Sequence, residues 1–270
     1  MEHIVLGFDG TEPSLVALDW VAERAARGAC RIEIVTIGDH VPDMVIRDAE
    51  QRITDRAADA DVIWRRLSGR MPDSLLRAAE DADLLVIGAR RRRPVRSALT
   101  GWLPVRTVSR SHVPTVVVPN EWTVNDGPVV VGVDDDHSSS AAVPFAAIEA
   151  EASGGSLSLL HAWQMPIPTT EGAGALLASP THVKDAHREV LDRAGEAIAD
   201  EHPALTLEKS LVQDSPSSAL VARSARSSLI VLGTHQRGLL ESAILGSVCQ
   251  DVLASSLSPV CVVPATSSGS

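Results

Sequence analysis

The chain has 270 residues with 24 Lys+Arg against 35 Asp+Glu, a formal net charge of −11, and is 44% hydrophobic and 22% charged. That balance describes a folded globular protein long enough for two domains, and it excludes a disordered tail. The acid excess argues against a protein that coats nucleic acid, because neutralising phosphates needs surplus Lys and Arg.

No apolar run approaches the roughly 20 residues of a membrane span, and Met1-Glu2-His3 followed by a short apolar run reads without the basic region and long apolar core expected of a signal peptide. Cys30, Cys249 and Cys261 lie far apart and match no metal spacing, so they read as buried thiols of a reducing compartment. A cytoplasmic location is the expectation.

In chain order, "HIVLGFDG" at 3–10 reads as a first strand and "SLVALDWVAERAARG" at 14–28 as a helix with Leu15, Leu18, Val21 and Ala25 on one face. "DLLVIGA" at 83–89 and "VPTVVVP" at 113–119 follow as the fourth and fifth strands. The chain then repeats itself. "VVVGVDDD" at 129–136 answers the first strand at an offset of 125 residues, while "SLIVLGT" at 228–234 and "SPVCVVP" at 258–264 answer the fourth and fifth at an offset of 145. The extra 20 residues fall between the matched pairs Ile37/Ala162 and Gly88/Gly233, and the Pro/Thr/Gly-rich stretch 164–182 reads as a loop carrying them. Helices are expected over Ser139 to Ala152 and Asp185 to Ala199.

Continuous Val/Ile/Leu strands alternating with amphipathic helices predict an α/β fold: two tandem Rossmann-like domains, each a five-stranded parallel sheet with helices on both faces. The domains are read as 1–120 and 127–264, joined through "NEWTVNDG", with 265–270 a flexible tail.

In such sheets ligands gather where strand ends lead into helix N-termini. Asp9 and Asp134 close the first strand of each copy. Either could accept a hydrogen bond from a ribose or adenine, or cap the next helix, and the residues alone favour the cap. After Gly233 the chain runs Thr234-His235-Gln236-Arg237-Gly238 to Gly246-Ser247-Val248. Gly246 and Ser247 open the last helix, where backbone N–H groups suit a phosphate, although an ordinary strand-to-helix loop reads equally well.

These residues resemble the universal stress proteins in their tandem form. That family's nucleotide motif is G-x2-G-x9-G-[ST] after the fourth strand, with an Asp closing the first. The second copy reads Gly233-x2-Gln236-x9-Gly246-Ser247, with Gln for the second Gly; the first reads Gly88-x2-Arg91-x9-Gly101-Trp102, without the second Gly or the final Ser/Thr. The resemblance covers about 260 residues.

It implies a nucleotide α-hydrolase-type fold and binding of ATP, with or without Mg2+, as a stress-response sensor or regulator. Asp134 would lie by ribose and adenine, Ala162 beside the adenine, Gly233 under the ribose-phosphate, and Gly246, Ser247 and Val248 on the phosphates, with Gln236 and Arg237 in the intervening loop. In the first copy Asp9, Ile37, Gly88 and Gly101 match more weakly, and the Trp102 indole is expected to obstruct the phosphate contact. Nucleotide ordering the loop from Gly233 to Gly246 would be the regulatory event.

Arg90, Arg91, Arg92, Arg93 and Arg96 occupy the first copy's loop. They read as an anion clamp, or as a solvated stretch paired with acids such as Asp81 and Asp83. No G-x-x-x-x-G-K-[ST], H-E-x-x-H or G-x-S-x-G occurs, so no catalytic residue is assigned. Two alternatives stay open, a nucleotide-independent interaction module and a slow ATP hydrolase.

The apolar fifth strands "TVVVP" and "VCVVP" invite edge pairing. The resemblance implies that the two domains pair through them about a pseudo-two-fold axis, and two chains associating as a homodimer is a further expectation. The charge divides at the repeat boundary: residues 1–120 hold 17 basic and 17 acidic residues, and 121–270 hold 7 and 18. The copy with the better motif is the acidic one, so its phosphate binding would rest on backbone amides.

Overall fold

A computed structural model describes residues 1–38, 41–91, 101–135, 137–165, 179–234 and 245–265. The described residues form ten strands. In the first half these are β1 (Glu2–Gly7), β2 (Cys30–Ile37), β3 (Asp61–Leu67), β4 (Leu84–Ala89) and β5 (Thr115–Pro119). In the second they are β6 (Val129–Gly132), β7 (Leu157–Trp163), β8 (Leu207–Gln213), β9 (Leu229–Gly233) and β10 (Val260–Val263).

The described helices are α1 (Glu12–Ala25), α2 (Asp43–Arg56), α3 (Asp73–Ala78) and α4 (Leu103–Val108), then α5 (Ala142–Ala152), α6 (Pro180–Glu201), α7 (Pro216–Ser224) and α8 (Ser247–Ser255). Pro13, Pro104, Pro180 and Pro216 stand in the first turn of α1, α4, α6 and α7, where a missing N–H costs nothing and the fixed φ already suits a helix. Ser215 caps α7 through its hydroxyl, which accepts from the Ser218 N–H at 3.2 Å.

Two sequence expectations shift. The helix expected from Ser139 begins at Ala142, after a 3-10 turn over His137–Ser139. The insertion is also shared between loop and helix: α6 has 22 residues against 14 in its counterpart α2, so eight of the extra residues lengthen the helix. Residues 180–184 extend it beyond the expected start at Asp185 because Pro180 is an acceptable first helical residue despite its reputation as a breaker.

The strands make one sheet in the order β3-β2-β1-β4-β5-β10-β9-β6-β7-β8. Pairing is parallel within each half and antiparallel between β5 and β10. At that seam Val116 faces Cys261, with Val117 opposite Val260 and Thr115 opposite Val262. Val116 and Cys261 are counterparts at the 145-residue offset, so the register is self-complementary about their midpoint, as two-fold symmetry demands. The sheet ends at β3 and β8, whose exposed positions include Arg65, Arg66, Glu208 and Lys209.

Because side chains alternate along a strand, the sheet buries two apolar layers that each cross the seam. One holds Ile4, Leu6, Val116, Val131 and Cys261, packed under helices such as α1 and α5. The other holds Val5, Val117, Ile230 and Val262 with residues of α3, α4, α7 and α8.

A polar contact reinforces the first layer. Arg24 of α1 donates to Glu149 of α5 at 2.5 and 2.6 Å and to Glu2 at 2.8 Å. Arg24 and Glu149 are themselves counterparts, separated by 125 residues, so equivalent positions meet across the axis as opposite charges. Their side chains are 11% and 6% exposed. Burial alone would lower the Arg24 pKa, but hydrogen bonds and charge from Glu149 and then Glu2 outweigh it and raise it.

Candidate functional site

In each half the chain leaves its first strand in one direction and later returns to that strand's other side. This creates a crevice at the carboxyl ends of β1 and β4 in the first half and of β6 and β9 in the second, the position where open α/β sheets hold ligands.

In the second half, four segments converge there. Asp134 lies just after β6; its N–H donates to the Ser139 hydroxyl at 3.3 Å and its carboxylate accepts from the Asp135 N–H at 2.8 Å. Ala162 is near the end of β7, half-buried against the second apolar layer. Gly233 ends β9, and Gly246, Ser247 and Val248 begin α8. The Cys249 thiol reaches the Gly233 carbonyl at 3.7 Å, which sets the first turn of α8 beside the end of β9. Burial pushes that thiol up to about 12.

The two motif glycines of this half differ physically. A Cβ on Gly233 would stand 1.8 Å from the Ser138 carbonyl oxygen, and one on Gly88 would stand 2.0 Å from the Pro13 carbonyl oxygen. Glycine here admits the turn that enters the half's first helix, a need of the fold itself. Gly246 is different. It is the N-cap of α8 with φ −56 and ψ 152, a conformation open to any residue, and a Cβ there would meet none of the described residues within 4 Å. Among the described residues, neither strain nor packing requires glycine at 246.

The first half repeats the frame with other details. Asp9 accepts from the Thr11 N–H at 3.0 Å and the Thr11 hydroxyl at 2.6 Å. Thr11, adjacent to the helix, is the N-cap of α1; Asp9, two residues earlier, braces the cap instead of serving as it. Ile37 ends β2 against the second apolar layer, and a Cβ on Gly101, like one on Gly246, would meet none of the described residues within 4 Å. Trp102 departs from expectation: its side chain is buried at 8% exposure in the layer with Val105 and Val108, so the indole fills core instead of blocking the crevice. Burying so large an apolar surface outweighs leaving it in water.

Gln236 and Arg237 lie outside the described residues, as do Arg92, Arg93, Arg96 and most of the loop from Gly233 to Gly246. Of the basic stretch, Arg90 pairs with Glu12 at 3.4 Å and Arg91 with Glu121 at 2.7 Å. Asp83 instead accepts from the His3 N–H at 2.8 Å, because the start of β1 lies against that turn.

One polar pair near the ends of β6 and β7 has no counterpart among the sequence expectations. His161, 2% exposed in β7, places Nδ1 2.7 Å from the Val133 carbonyl oxygen and Nε2 2.8 Å from Nδ1 of His187 on α6. The His187 ring stacks on Trp163 with centroids 5.7 Å apart and planes at 29°. Desolvation and the neighbouring His161 hold the His187 pKa below its ordinary value, against the opposing pull of Asp135 and Asp134. A lone His inside the apolar run "SLSLLHAW" was the available signal; its partner lies 26 residues away.

Two α/β units, each with a crevice at its switch point, define a tandem Rossmann-like protein. A sequence profile of the universal stress protein family matches residues 44–119 and 127–264, and the chain belongs to that family. It is similar to universal stress protein Rv1996 of Mycobacterium tuberculosis, at 26% identity across 96% of this chain and 94% of that one. It is also similar to Rv2623 of the same organism, at 25% identity across 96% and 95%. Among solved structures, a universal stress protein from Archaeoglobus fulgidus shares the fold with a TM-score of 0.68 at 19% identity, covering 99% of this chain and 97% of the other.

Proposed function

We propose that the chain binds an adenine nucleotide, with ATP as the leading candidate, in the crevice of its second half and serves as a stress-response sensor or regulator. The observation that carries this reading is Gly246: a helix N-cap at the carboxyl edge of the sheet where, among the described residues, neither backbone conformation nor packing calls for glycine. Phosphate oxygens would meet the first N–H groups of α8 and the Ser247 hydroxyl, which suits a half whose formal charge repels anions. Asp134 would take the ribose and Ala162 would flank the base. Gln236 and Arg237 belong to the same reading as loop residues near the phosphates. Among the described residues no three His, Cys, Asp or Glu side chains gather as a metal site, so Mg2+ would be carried by the triphosphate.

The first half, through Asp9, Ile37, Gly88 and Gly101, is the weaker site in this reading, since Trp102 stands where the second half has Ser247 and α4 has only six residues. The domain bounds 1–120 and 127–264, a cytoplasmic location and a homodimer complete the proposal.

Gly246→Asp tests it. Aspartate is a favoured N-cap, so α8 keeps its stability, while its carboxylate occupies the phosphate position. Titration calorimetry with ATP should show binding to the parent chain and a loss of at least about tenfold in the variant at unchanged melting temperature. Equal affinity in both would refute the site. A chain that binds no nucleotide would instead favour the interaction-module alternative.

A further inference from the structure

The two halves also differ at a place that neither crevice uses. Between the end of α3 and the turn joining α4 to β5 lies a cleft of about 400 Å³, at the amino edge of β4 and β5. Asp73 and Arg77, one turn apart on α3, and Glu80 just beyond its end line one wall, while Arg110 and His112 line the other. At the 145-residue offset these five positions are Ser218, Ala222, Ala225, Ser255 and Leu257. Every charged or titratable group of the cleft thus answers to a neutral residue in the second half.

The second half also closes the space. There the Leu257 N–H donates to the Ser224 hydroxyl at 3.0 Å, tying the end of α7 to the turn before β10. The turn itself is built alike in both halves: the Ser111 hydroxyl donates to the Val113 carbonyl at 2.8 Å, and the Ser256 hydroxyl to the Ser258 carbonyl at 2.6 Å. Both turns also accept from the neighbouring strand at 2.9 Å, Pro114 from the Leu85 N–H and Pro259 from the Ile230 N–H. The counterpart of Ser224, however, is Ala79, 1% exposed, which offers only a methyl group. The His112 N–H is therefore directed at the place of a missing hydroxyl, and it has no acceptor among the described residues.

The other groups of the cleft define what acceptor fits. Arg110 is held by Asp73 at 2.5 Å, which offsets that carboxylate and leaves further N–H groups of the guanidinium fork available. Arg77 has no ion-pair partner among the described residues. Two guanidinium groups and a backbone N–H suit the three oxygens of one phosphate. Glu80 repels a second anionic group and can accept from a hydroxyl, so a polyphosphate is disfavoured.

We propose that this cleft binds a phosphate monoester of a small polyhydroxy compound, its oxygens held by Arg77, Arg110 and the His112 N–H and a hydroxyl held by Glu80. The site is independent of the nucleotide reading of the crevices.

The test titrates the full 15N-labelled chain with glycerol 3-phosphate, without nucleotide, in about 150 mM NaCl to screen diffuse attraction. The His112 amide should shift along a saturating curve with a dissociation constant at or below about 1 mM. Ala79→Ser supplies the hydroxyl that closes the second half and should weaken binding at least about tenfold. Arg77→Ala, an exposed change that leaves the core intact, should weaken it about fivefold or more, and it carries the same comparison if Ala79→Ser does not fold. Arg106→Ala, exposed on α4 outside the cleft, should leave binding unchanged. Inorganic phosphate, without hydroxyls, and glycerate, with a carboxylate in place of the phosphate, should both bind more weakly. Shifts that do not saturate overturn the proposal, as does undiminished binding in Ala79→Ser or Arg77→Ala. An equal loss in Arg106→Ala overturns it in favour of diffuse charge, and glycerate or inorganic phosphate binding as tightly overturns the monoester assignment.

Discussion

Replacing Glu149 by alanine probes the contact that joins the halves. It removes two short charge-assisted hydrogen bonds, at 2.5 and 2.6 Å, from an Arg24 side chain that is only 11% exposed. Breaking a buried pair by deleting one partner costs about 3–5 kcal/mol, because the remaining charge stays desolvated. Glu2 still accepts from Arg24 at 2.8 Å, which reduces the expected loss to about 2–4 kcal/mol. For a chain of this size that is a fall of about 4–7 °C in melting temperature.

The charge-swapped chain, Arg24→Glu with Glu149→Arg, makes the reasoning sharper. Were the axis symmetric in its surroundings, the swap would be neutral. However, Glu2 has Gly127 as its counterpart at the 125-residue offset, so the swap sets the new carboxylate on α1 against Glu2 and gives the new guanidinium on α5 no second acid. Recovery should be partial, and adding Glu2→Gln should improve it. Urea and thermal unfolding of the single, double and triple variants form the cycle. A loss under about 0.5 kcal/mol for Glu149→Ala, or a swap as stable as the parent, would refute this account.

Gly233→Ala and Gly88→Ala should each destabilise by about 2–3 kcal/mol or more, since the new methyl meets backbone that cannot rotate away; denaturant midpoints measure this, and a neutral result would mean the entering turns are loose. The buried Cys30, Cys249 and Cys261 should not react with a thiol reagent at about pH 8 until the chain is unfolded, because burial raises all three pKa values. Rapid labelling of the native chain would contradict that. His187 is less basic folded than unfolded, so the unfolded state takes up its proton first as pH falls below about 6.5, and native stability declines until the folded group titrates too. His187→Asn should flatten that part of the stability–pH curve, and an unchanged slope would assign it elsewhere.

The first, fourth and fifth strands of each half are legible as aliphatic runs, whereas β3 and β8 are broken by charged residues, and the repeat offsets align Gly88 with Gly233 from the sequence alone. What the offsets cannot convey is the third dimension. Trp102 follows Gly101 as Ser247 follows Gly246, yet only packing reveals that the indole turns inward. The start of α6 is hidden by its proline, and His187 becomes meaningful only once α6 crosses over β7. Arg24 and Glu149 are aligned by the first-strand offset. Reading these counterparts as opposing charges requires knowing that an axis runs between them.

The seam has a consequence for assembly. In a free single unit the fifth strand is an unsatisfied row of N–H and C=O groups, a docking site for any similar edge. Here each fifth strand is consumed by the other, so covalent fusion has used up the valence through which such units would otherwise associate. The described sheet now terminates at β3 and β8, half-exposed and studded with charge, which resists continuation of the ribbon. Joining further copies would therefore fall to helical surfaces, leaving the two crevices free to respond within one chain.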